Sequence, residues 1–407
     1  MKMSLNFGAL FLLALIQFGA LTGRAQTTVT GTIRSGGLAR EYRLYVPAAY
    51  RAGTPVPLLF NLHGYGSSNV EQEAYGDFRP IADTANFLVV HPNGALNVLG
   101  ARDWNTFLPP GSGGADDVAF LSALLTDIQS RYSVDANRVY STGMSNGGFM
   151  SYELACQLSA RIAAVASVTG SITTARLATC TPQHPTPVLH IHGTADATVP
   201  YNGATALGIT FAPIPTVLRY WVEFNGGNPT PAVTALPNPS STDFSTVERS
   251  VWSGGRQGSV VAHLRIIGGG HTWPGASLGP GFPPQSATNP TNQDISASVE
   301  IWRFLRPFRL SRLQALATAP GNAGVTAADV TVAPNPAGPD GEVLVRAKQP
   351  LRPTQVRLLD ALARVVPAPA TAAPTGAVRL DLRALPSGLY VVLVEQAGRY
   401  YRHRLVR

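Results

Sequence analysis

Short apolar runs alternate along the chain with longer stretches in which apolar residues recur every three or four positions. The short runs are bounded by Gly, Pro or polar residues and predict buried strands at residues 57–63, 87–91, 137–143, 162–168, 187–192 and 259–267. The periodic stretches predict helices at residues 116–132, 149–158, 214–224 and 294–304, the first capped by Asp116 and the last by Asp294. This alternation favours a mainly parallel sheet with helices on both faces, in which reactive groups gather at the carboxyl ends of the strands.

The flanks of this α/β region have different patterns. Residues 27–34 and 39–46 surround two glycines and predict an antiparallel hairpin, so the α/β domain is expected to span residues 26–308. Residues 309–330 are rich in Ala, Pro and Gly and predict a linker. Residues 331–407 contain short strands separated by Pro, Gly and Asp, which is typical of a small all-β sandwich, with residues 367–375 as one long loop.

The N-terminus has the three parts of a signal peptide. Lys2 supplies a positive charge, residues 10–16 form an apolar core, and cleavage after Ala25 would remove residues 1–25. A membrane anchor is the alternative, but polar residues and glycine interrupt the apolar run before it is long enough to span a bilayer. We therefore expect a secreted protein, extracellular or at the cell surface, with no transmembrane segment in its mature form.

Composition and charge exclude some classes of partner. The net charge is +8, but residues 332–407 hold 11 Lys and Arg against 5 Asp and Glu, so the α/β part is close to neutral. No basic run with interleaved aromatic residues is present, so nucleic-acid binding is not expected. The two cysteines, Cys156 and Cys180, either form a disulfide, as an exported protein allows, or remain two buried thiols.

The candidate nucleophile is Ser145, in the pattern Gly-x-Ser-x-Gly formed with Gly143 and Gly147. It lies between a predicted strand and a predicted helix, which is the setting of the nucleophile elbow in the α/β-hydrolase fold. The glycines leave room for the sharp turn, and the helix directs its free N–H groups and its dipole at the serine. A second copy of the pattern surrounds Ser277, but among Pro and Gly residues, so we regard that copy as a coincidence.

A serine nucleophile needs a base and an acid that orients it, and in this fold the order along the chain is Ser, acid, His. The acids between Ser145 and the last suitable histidine are Glu153, Asp196, Glu223, Asp243 and Glu248. Only Asp196 directly follows the carboxyl end of a predicted strand. The others lie within helices or after a Pro-rich loop, so Asp196 is the predicted acid.

The candidate base is His271, one of eight histidines. It follows three glycines after the last predicted strand of the α/β domain, where a loop can fold over the nucleophile. The other histidines precede the nucleophile, precede the acid, lie within strands or belong to the C-terminal domain; they are His63, His91, His184, His190, His192, His263 and His403. His190 and His192 are expected to pack or hydrogen-bond within the strand that leads to Asp196.

The oxyanion of an acyl-transfer reaction needs two N–H donors. We predict the backbone N–H of Asn146, directly after the nucleophile, and the backbone N–H of Tyr65, in the turn after His63 and Gly64. An ordinary tight turn is the alternative for that segment. The sequence has no Cys/His metal spacing, phosphate loop or dinucleotide-binding fingerprint, and Asp116 fits a helix cap better than a metal ligand, so no metal and no cofactor are expected.

Six motifs in order, LHGYGSS, DWNTF, GADDVAF, GMSNGG, HIHGTAD and GGGHTWPG, resemble those of the poly(3-hydroxybutyrate) depolymerase family of α/β-hydrolase esterases, which includes feruloyl and acetylxylan esterases. The resemblance covers residues 27–306. It implies a serine esterase with the triad Ser145, Asp196 and His271 and a disulfide between Cys156 and Cys180. It also implies that Trp104 and Trp273 line the substrate cleft, with core packing as the alternative for both.

The C-terminal segments APNPAG, VRLLDALARVV, LPSGLYVVLV and RHRLVR resemble the sorting domain of the type IX secretion system of Bacteroidetes. Ala363 departs from that family, which usually has glycine in this turn. The resemblance implies that the partner of residues 331–407 is the type IX secretion machinery of the outer membrane, reached by way of the periplasm.

Together these observations predict a secreted serine esterase that acts through an acyl-enzyme intermediate. Its substrate would be a small ester or a polymer, either a polyhydroxybutyrate-like polyester or a plant polysaccharide that bears feruloyl or acetyl groups. A serine peptidase of the same fold and a non-catalytic surface binding module are the alternatives.

Overall fold

A computed structural model describes residues 26–107, 114–206, 208–276, 289–314, 330–347, 349–360, 365–396 and 399–407. The predicted signal peptide, Ser277, Ala363 and residues 315–329 of the predicted linker lie outside these ranges.

The α/β domain is built on one ten-stranded sheet. The described strands of this domain are, in chain order, β1 (Thr27–Ser35), β2 (Leu38–Val46), β3 (Val56–Leu62), β4 (Leu88–Pro92), β5 (Ala95–Leu96), β6 (Arg102–Asp103), β7 (Val134–Met144), β8 (Ala164–Val168), β9 (Val188–Gly193), β10 (Ala204–Ala206), β11 (Ile209–Phe211), β12 (Ala232–Ala235), β13 (Thr246–Trp252) and β14 (Val261–Ile267). The strand order of the sheet is β1-β2-β4-β3-β7-β8-β9-β14-β13-β12, while β5 pairs with β6 and β10 with β11. The six strands from β4 to β14 in that order are parallel to one another, and the strands at both edges are antiparallel.

Helices cover both faces of this sheet. They are α1 (Asn69–Tyr75), α2 (Arg79–Ala85), α3 (Asp117–Arg131), α4 (Asn146–Gln157), α5 (Thr174–Thr179), α6 (Ile214–Asn225), α7 (Ala297–Leu305) and α8 (Leu310–Gln314). Successive residues of β3 point to opposite faces: Leu58 joins an apolar cluster with α3, α4 and α6, whereas Leu59 joins a cluster with α2, α7 and α8. Every residue of β3 is buried, as expected for a parallel strand in the middle of a covered sheet. The predicted α/β architecture and its six buried strands are therefore confirmed.

Two predicted boundaries are wrong. The last long helix begins at Ala297 rather than Asp294, because the Ser296 side chain accepts from the Val299 N–H and caps it. Asp294 instead accepts from the Ser240 N–H. The predicted linker does not begin at residue 309, because α8 buries Leu310 and Leu313 in the core. The α/β domain therefore extends to at least Gln314.

The C-terminal domain is a β-sandwich, as predicted. Its strands are β15 (Val330–Ala333), β16 (Glu342–Ala347), β17 (Val356–Leu359), β18 (Val365–Val366), β19 (Ala370–Ala373), β20 (Ala377–Asp381), β21 (Leu389–Gln396) and β22 (Arg399–Val406). They form two four-stranded antiparallel sheets, β15-β16-β20-β19 and β18-β17-β21-β22, around an apolar core of their own. The predicted single loop at residues 367–375 is wrong, because β19 lies within it and pairs with β20.

The two cysteines are joined. Cys156 lies in α4 and Cys180 follows α5, with their Cα atoms 4.9 Å apart and a disulfide between them. The implied pairing is thus present, and it joins two positions that are 24 apart in the sequence with β8 between them. In the part of the chain that the structure describes, no helix combines the length and the apolar character that a membrane crossing requires.

Candidate active site

Ser145 lies at a sharp turn between the end of β7 and the start of α4, as the sequence predicted. Its backbone has φ 53° and ψ −120°, a combination that costs energy for a residue with a side chain. Hydrogen bonds hold it there: the Ser145 N–H donates to the Val168 carbonyl at 2.8 Å, and the Ser145 carbonyl accepts from the Phe149 N–H at 3.0 Å. The turn lifts the serine side chain out of the sheet at the carboxyl end of β7.

The two glycines of the pattern allow β3 to approach this turn. A Cβ atom on Gly143 would lie 2.6 Å from the Leu62 carbonyl oxygen, and one on Gly147 would collide with the same oxygen. The end of β3 leads directly into His63 and Gly64, so this close approach brings the turn after β3 beside the nucleophile. A Cβ atom on Gly64 would be only 3.5 Å from the Ser145 Cβ.

The structure brings Asp196 and His271 together at the same edge of the sheet. The His271 Nδ1 lies 2.8 Å from the Asp196 Oδ2, the Asp196 side chain is fully buried, and the His271 side chain is 16% exposed. The other carboxylate oxygen, Oδ1, accepts from the backbone N–H groups of Thr198 and Val199 at 2.9 and 2.8 Å. His271 lines one cavity with Ser145.

The electrostatics of Asp196 suit an orienting acid. Burial alone raises the pKa of Asp196, but hydrogen bonding to His192 and His271 outweighs burial and holds this pKa well below its usual range. An ionised carboxylate keeps the proton of His271 on Nδ1 and leaves Nε2 free to act as a base. The loop that carries His271 is anchored by the His271 backbone N–H, which donates to the Asn289 Oδ1 at 2.7 Å.

The two predicted oxyanion donors lie on segments that flank Ser145. Asn146 is the first residue of α4, where a backbone N–H has no acceptor within the helix. Tyr65 lies in the turn after β3, lines the cavity and has a side chain that is 52% exposed. Both predicted donors therefore lie on segments that adjoin Ser145.

Trp104 is not a cleft residue, and this part of the sequence prediction is wrong. It is fully buried, its Nε1–H donates to the His63 carbonyl at 2.9 Å, and its backbone N–H donates to the Asn146 Oδ1 at 2.7 Å. The Asn146 Nδ2 donates back to the Trp104 carbonyl at 3.0 Å and to the Thr106 Oγ1 at 3.2 Å. Trp104 thus ties the segment after β3 to the start of α4, which are the two segments that carry the predicted oxyanion donors.

Trp273 does line the cavity, as predicted, although it is only 3% exposed. Its ring packs against Tyr75 and Phe78, and its Nε1–H donates to the Ser298 Oγ at 3.2 Å. The cavity has a volume of about 330 Å³. The described residues that line it are Gly64, Tyr65, Gly66, Ser67, Glu71, Tyr75, Met144, Ser145, His271, Thr272, Trp273, Ala276, Asn289 and Thr291.

Sequence reasoning missed the part of this wall that comes from α1. Tyr75 and Glu71 lie on a helix of seven residues, which is too short to show apolar periodicity. A capping signal was available, because Ser68 is followed three residues later by Glu71 and the Ser68 Oγ accepts from the Glu71 N–H. Within the described ranges, no group of three or more His, Cys, Asp or Glu side chains is arranged to hold a metal ion.

Comparison with known proteins finds similarity to esterases. A family profile described as esterase PHB depolymerase matches residues 40–181. The chain is 31% identical over 294 residues to feruloyl esterase C of Emericella nidulans, which covers 65% of this chain and 97% of that protein. It is 26% identical over 249 residues to the bifunctional acetylxylan esterase/xylanase XynS20E of Neocallimastix patriciarum, which covers 60% of this chain and 33% of that protein. It is 29% identical over 239 residues to feruloyl esterase B of Piromyces equi, which covers 57% of this chain and 42% of that protein. The matched region spans less than half the length of these last two proteins.

Proposed function

Because the chain belongs to the esterase PHB depolymerase family of carboxylic ester hydrolases, we propose that it cleaves esters with Ser145 as nucleophile, His271 as base and Asp196 as the acid that orients the base. The observation that carries this proposal is the Asp196–His271 hydrogen bond at the cavity that contains the strained Ser145. Family membership favours ester hydrolysis over peptide hydrolysis and over a purely binding role.

In the first half of the reaction, the Ser145 Oγ attacks the ester carbonyl carbon and transfers its proton to the His271 Nε2. The tetrahedral intermediate collapses, the C–O bond to the alcohol breaks, and the imidazolium returns the proton to the leaving alkoxide. A water molecule then repeats the sequence on the acyl-enzyme, which releases the carboxylic acid and restores the serine. Asp196 remains ionised throughout and stabilises the imidazolium.

The negative oxygen of each tetrahedral intermediate would be held by the backbone N–H groups of Asn146 and Tyr65. Such donors act most strongly when they are fixed before the reaction begins. The hydrogen bonds of Trp104 to His63 and Asn146 supply that rigidity. The positive end of the α4 dipole adds to the same stabilisation.

The substrate we propose is a short-acyl or aromatic ester carried by a polymer. The cavity wall contains the aromatic side chains of Tyr75 and Trp273, with Met144 and Ala276 beside them. Its volume of about 330 Å³ suits one short or planar acyl group. The names of two relatives, an acetylxylan esterase/xylanase and a feruloyl esterase, point to the same kinds of ester. Turnover of acetate, butyrate, ferulate and palmitate esters would test this, and a clear preference for palmitate would contradict it.

The assignment of the nucleophile is tested with Ser145→Ala and Ser277→Ala, since both serines have the same Gly-x-Ser-x-Gly surroundings in the sequence. We expect Ser145→Ala to lower the turnover of p-nitrophenyl acetate by at least ~10³-fold, because triad members act as a unit. Ser277→Ala should retain activity. If Ser277→Ala were the inactive variant, the assignment would be wrong.

Secretion is also part of the proposal. Residues 1–25 would direct export, and the C-terminal sandwich would deliver the protein through the type IX machinery. The catalytic residues would all lie in residues 26–314, so the sandwich would act in delivery and not in catalysis.

A further inference from the structure

Behind Asp196, a chain of buried side chains that the proposed mechanism does not use runs into the core of the domain. The Tyr152 Oη lies 2.7 Å from the His190 Nδ1, and the His190 Nε2 lies 3.1 Å from the His192 Nδ1. The His192 Nε2 lies 2.8 Å from the Val199 carbonyl oxygen and 3.4 Å from the Asp196 Oδ2. Tyr152, His190 and His192 are fully buried.

The proton positions along this series of side chains follow from the last hydrogen bond, which His192 makes to the Val199 carbonyl oxygen. A carbonyl oxygen only accepts, so the His192 Nε2 carries a proton, and in a neutral imidazole the Nδ1 is then an acceptor. The His190 Nε2 therefore donates to His192, and the His190 Nδ1 accepts from the Tyr152 hydroxyl. Every ring nitrogen of His190 and His192 has a partner in this arrangement.

The surroundings favour the neutral form of His190. Burial, with His192 and His263 nearby, holds the pKa of His190 well below its usual range, and burial lowers the pKa of His263 to about 3. Burial also raises the pKa of Tyr152, so its hydroxyl stays protonated. From β14, the His263 Nδ1 lies 3.0 Å from the His190 carbonyl oxygen, and the His263 Nε2 lies 3.0 Å from the Tyr201 hydroxyl.

One further charged group belongs to this environment. Arg265 is the neighbour of His192 across the β9–β14 pair. Its guanidinium lies over the ring of Tyr201, 5.7 Å from the centroid, and 3.9 Å from the carboxylate of Glu248. The Arg265 guanidinium thus has Tyr201 and Glu248 as its partners.

We propose that His192, supported by His190 and Tyr152, is a positioning residue for Asp196. The Val199 N–H donates to the Asp196 Oδ1, and the Val199 carbonyl accepts from the His192 Nε2–H, which also lies near Oδ2. Asp196, Val199 and His192 thereby form a closed ring of contacts, which stops the Asp196 carboxylate from rotating away from His271. The inference rests on the proposed function, because it assigns His192 a role through the orienting acid.

The test compares two substitutions at one position. In His192→Gln the amide nitrogen can occupy the place of Nε2 and still donate toward Val199 and Asp196, whereas in His192→Asn the shorter side chain reaches only the place of Nδ1. We expect kcat per active site to fall about tenfold in His192→Asn, the factor that loss of a hydrogen bond at a charged group predicts, and to fall less in His192→Gln. KM should stay within about twofold for both variants, because His192 does not line the cavity.

The pH profile supplies a second readout. Once the Asp196 carboxylate can turn away from His271 in His192→Asn, the His271 imidazolium loses part of its counter-charge, so the acid limb of kcat/KM should move to lower pH. His184→Asn is the matched control, since His184 is equally buried but bonds only to backbone carbonyls away from Asp196, at Ser159, Ile162 and Pro185. It should leave both kcat and the acid limb unchanged.

Tyr152→Phe tests the far end of the chain even if the His192 variants fail to fold. Loss of the hydroxyl should lower kcat roughly twofold and shift the same limb in the same direction. Its control is Tyr140→Phe, which removes a buried hydroxyl that donates to the Phe308 carbonyl at 2.8 Å. Active sites are counted by titration with a fluorophosphonate, so that lower yield of folded protein does not imitate lower kcat.

Two results would overturn the inference and leave these side chains with a packing role alone. The first is an equal loss of kcat in His192→Asn and His192→Gln. The second is an unchanged kcat and pH profile in His192→Asn or in Tyr152→Phe. Ser145→Ala is assayed in parallel. If Ser145→Ala kept its activity, the proposed function itself would fail, which is a different result from an unaffected His192→Asn in an enzyme that depends on Ser145.

Discussion

Trp104→Phe separates a role in substrate contact from a role in holding the oxyanion donors. The substitution keeps an aromatic ring at a fully buried position but removes the indole N–H that donates to the His63 carbonyl at 2.9 Å. That carbonyl immediately precedes Gly64 and Tyr65. We therefore expect the turn that carries the Tyr65 N–H to relax away from Ser145.

The size of the effect can be worked from these contacts. A buried carbonyl that loses its partner costs about 1–3 kcal/mol, and the smaller ring adds roughly 1 kcal/mol for the space it leaves. Together these terms predict that Tm falls by roughly 5–12 °C. Removing an oxyanion donor outright lowers kcat about 10²–10³-fold, so displacing one of two donors should lower it about tenfold.

The assay measures kcat and KM for p-nitrophenyl acetate and for an aromatic ester such as methyl ferulate. In Trp104→Phe, kcat should fall by the same factor for both esters and KM should change by less than about twofold, because the indole never contacts the acyl group. Trp273→Phe is the matched variant, since Trp273 does line the cavity. It should raise KM for the aromatic ester more than for acetate.

The opposite pattern would refute this reasoning. If Trp104→Phe raised KM for the aromatic ester severalfold and left kcat for acetate unchanged, Trp104 would contact the substrate, as the sequence motif first suggested. The hydrogen bonds to His63 and Asn146 would then have no part in turnover.

Three further predictions concern the disulfide, the domain boundary and pH. Replacing Cys156 and Cys180 together by Ser should lower stability by roughly 3 kcal/mol, as loop entropy predicts, and thermal melts with and without reductant should show this while kcat stays within about twofold. A chain that ends at Gln314 should keep kcat/KM on small esters within a few-fold but remain in the periplasm of the native host. A chain that ends at Pro307 should melt at lower temperature, because it loses the buried leucines of α8. Asp196 has a folded-state pKa below its unfolded value of about 4, so its contribution to stability is complete above that value and is lost as pH falls toward the folded pKa. The Tm difference between the wild type and Asp196→Asn should therefore shrink as pH is lowered below about 4, and a constant difference would contradict the assigned shift.

The residues that could be predicted from the sequence are those whose role depends on local geometry. Ser145 was identified by a strand, a turn and a helix in succession, and the structure shows why the pattern needs Gly143 and Gly147 beside Leu62. Asp196 and His271 were selected because each lies shortly after a strand, and parallel strands bring such positions to one edge of the sheet.

The features that were missed depend on contacts between distant segments. Trp104 lies 41 residues from the carbonyl it binds, so nothing local distinguishes it from a cleft residue. His192 was expected to pack or hydrogen-bond within its strand, and its link to Asp196 through Val199 follows from how the next loop folds back. The start of the linker was misplaced because two buried leucines in α8 lie within a stretch of linker-like composition.

The site is assembled from segments that are far apart in the chain, and this has a consequence for the proposed export. The turn at Tyr65, the elbow at Ser145 and the loop at His271 meet only when the central strands have paired in parallel, and such long-range contacts form late and cooperatively. If the chain crosses a membrane unfolded, as the proposed export would have it, it carries every proposed catalytic residue but no catalytic centre. Ester turnover therefore reports the folding of the whole α/β domain. The rate at which activity recovers after dilution from denaturant measures how fast its central sheet forms.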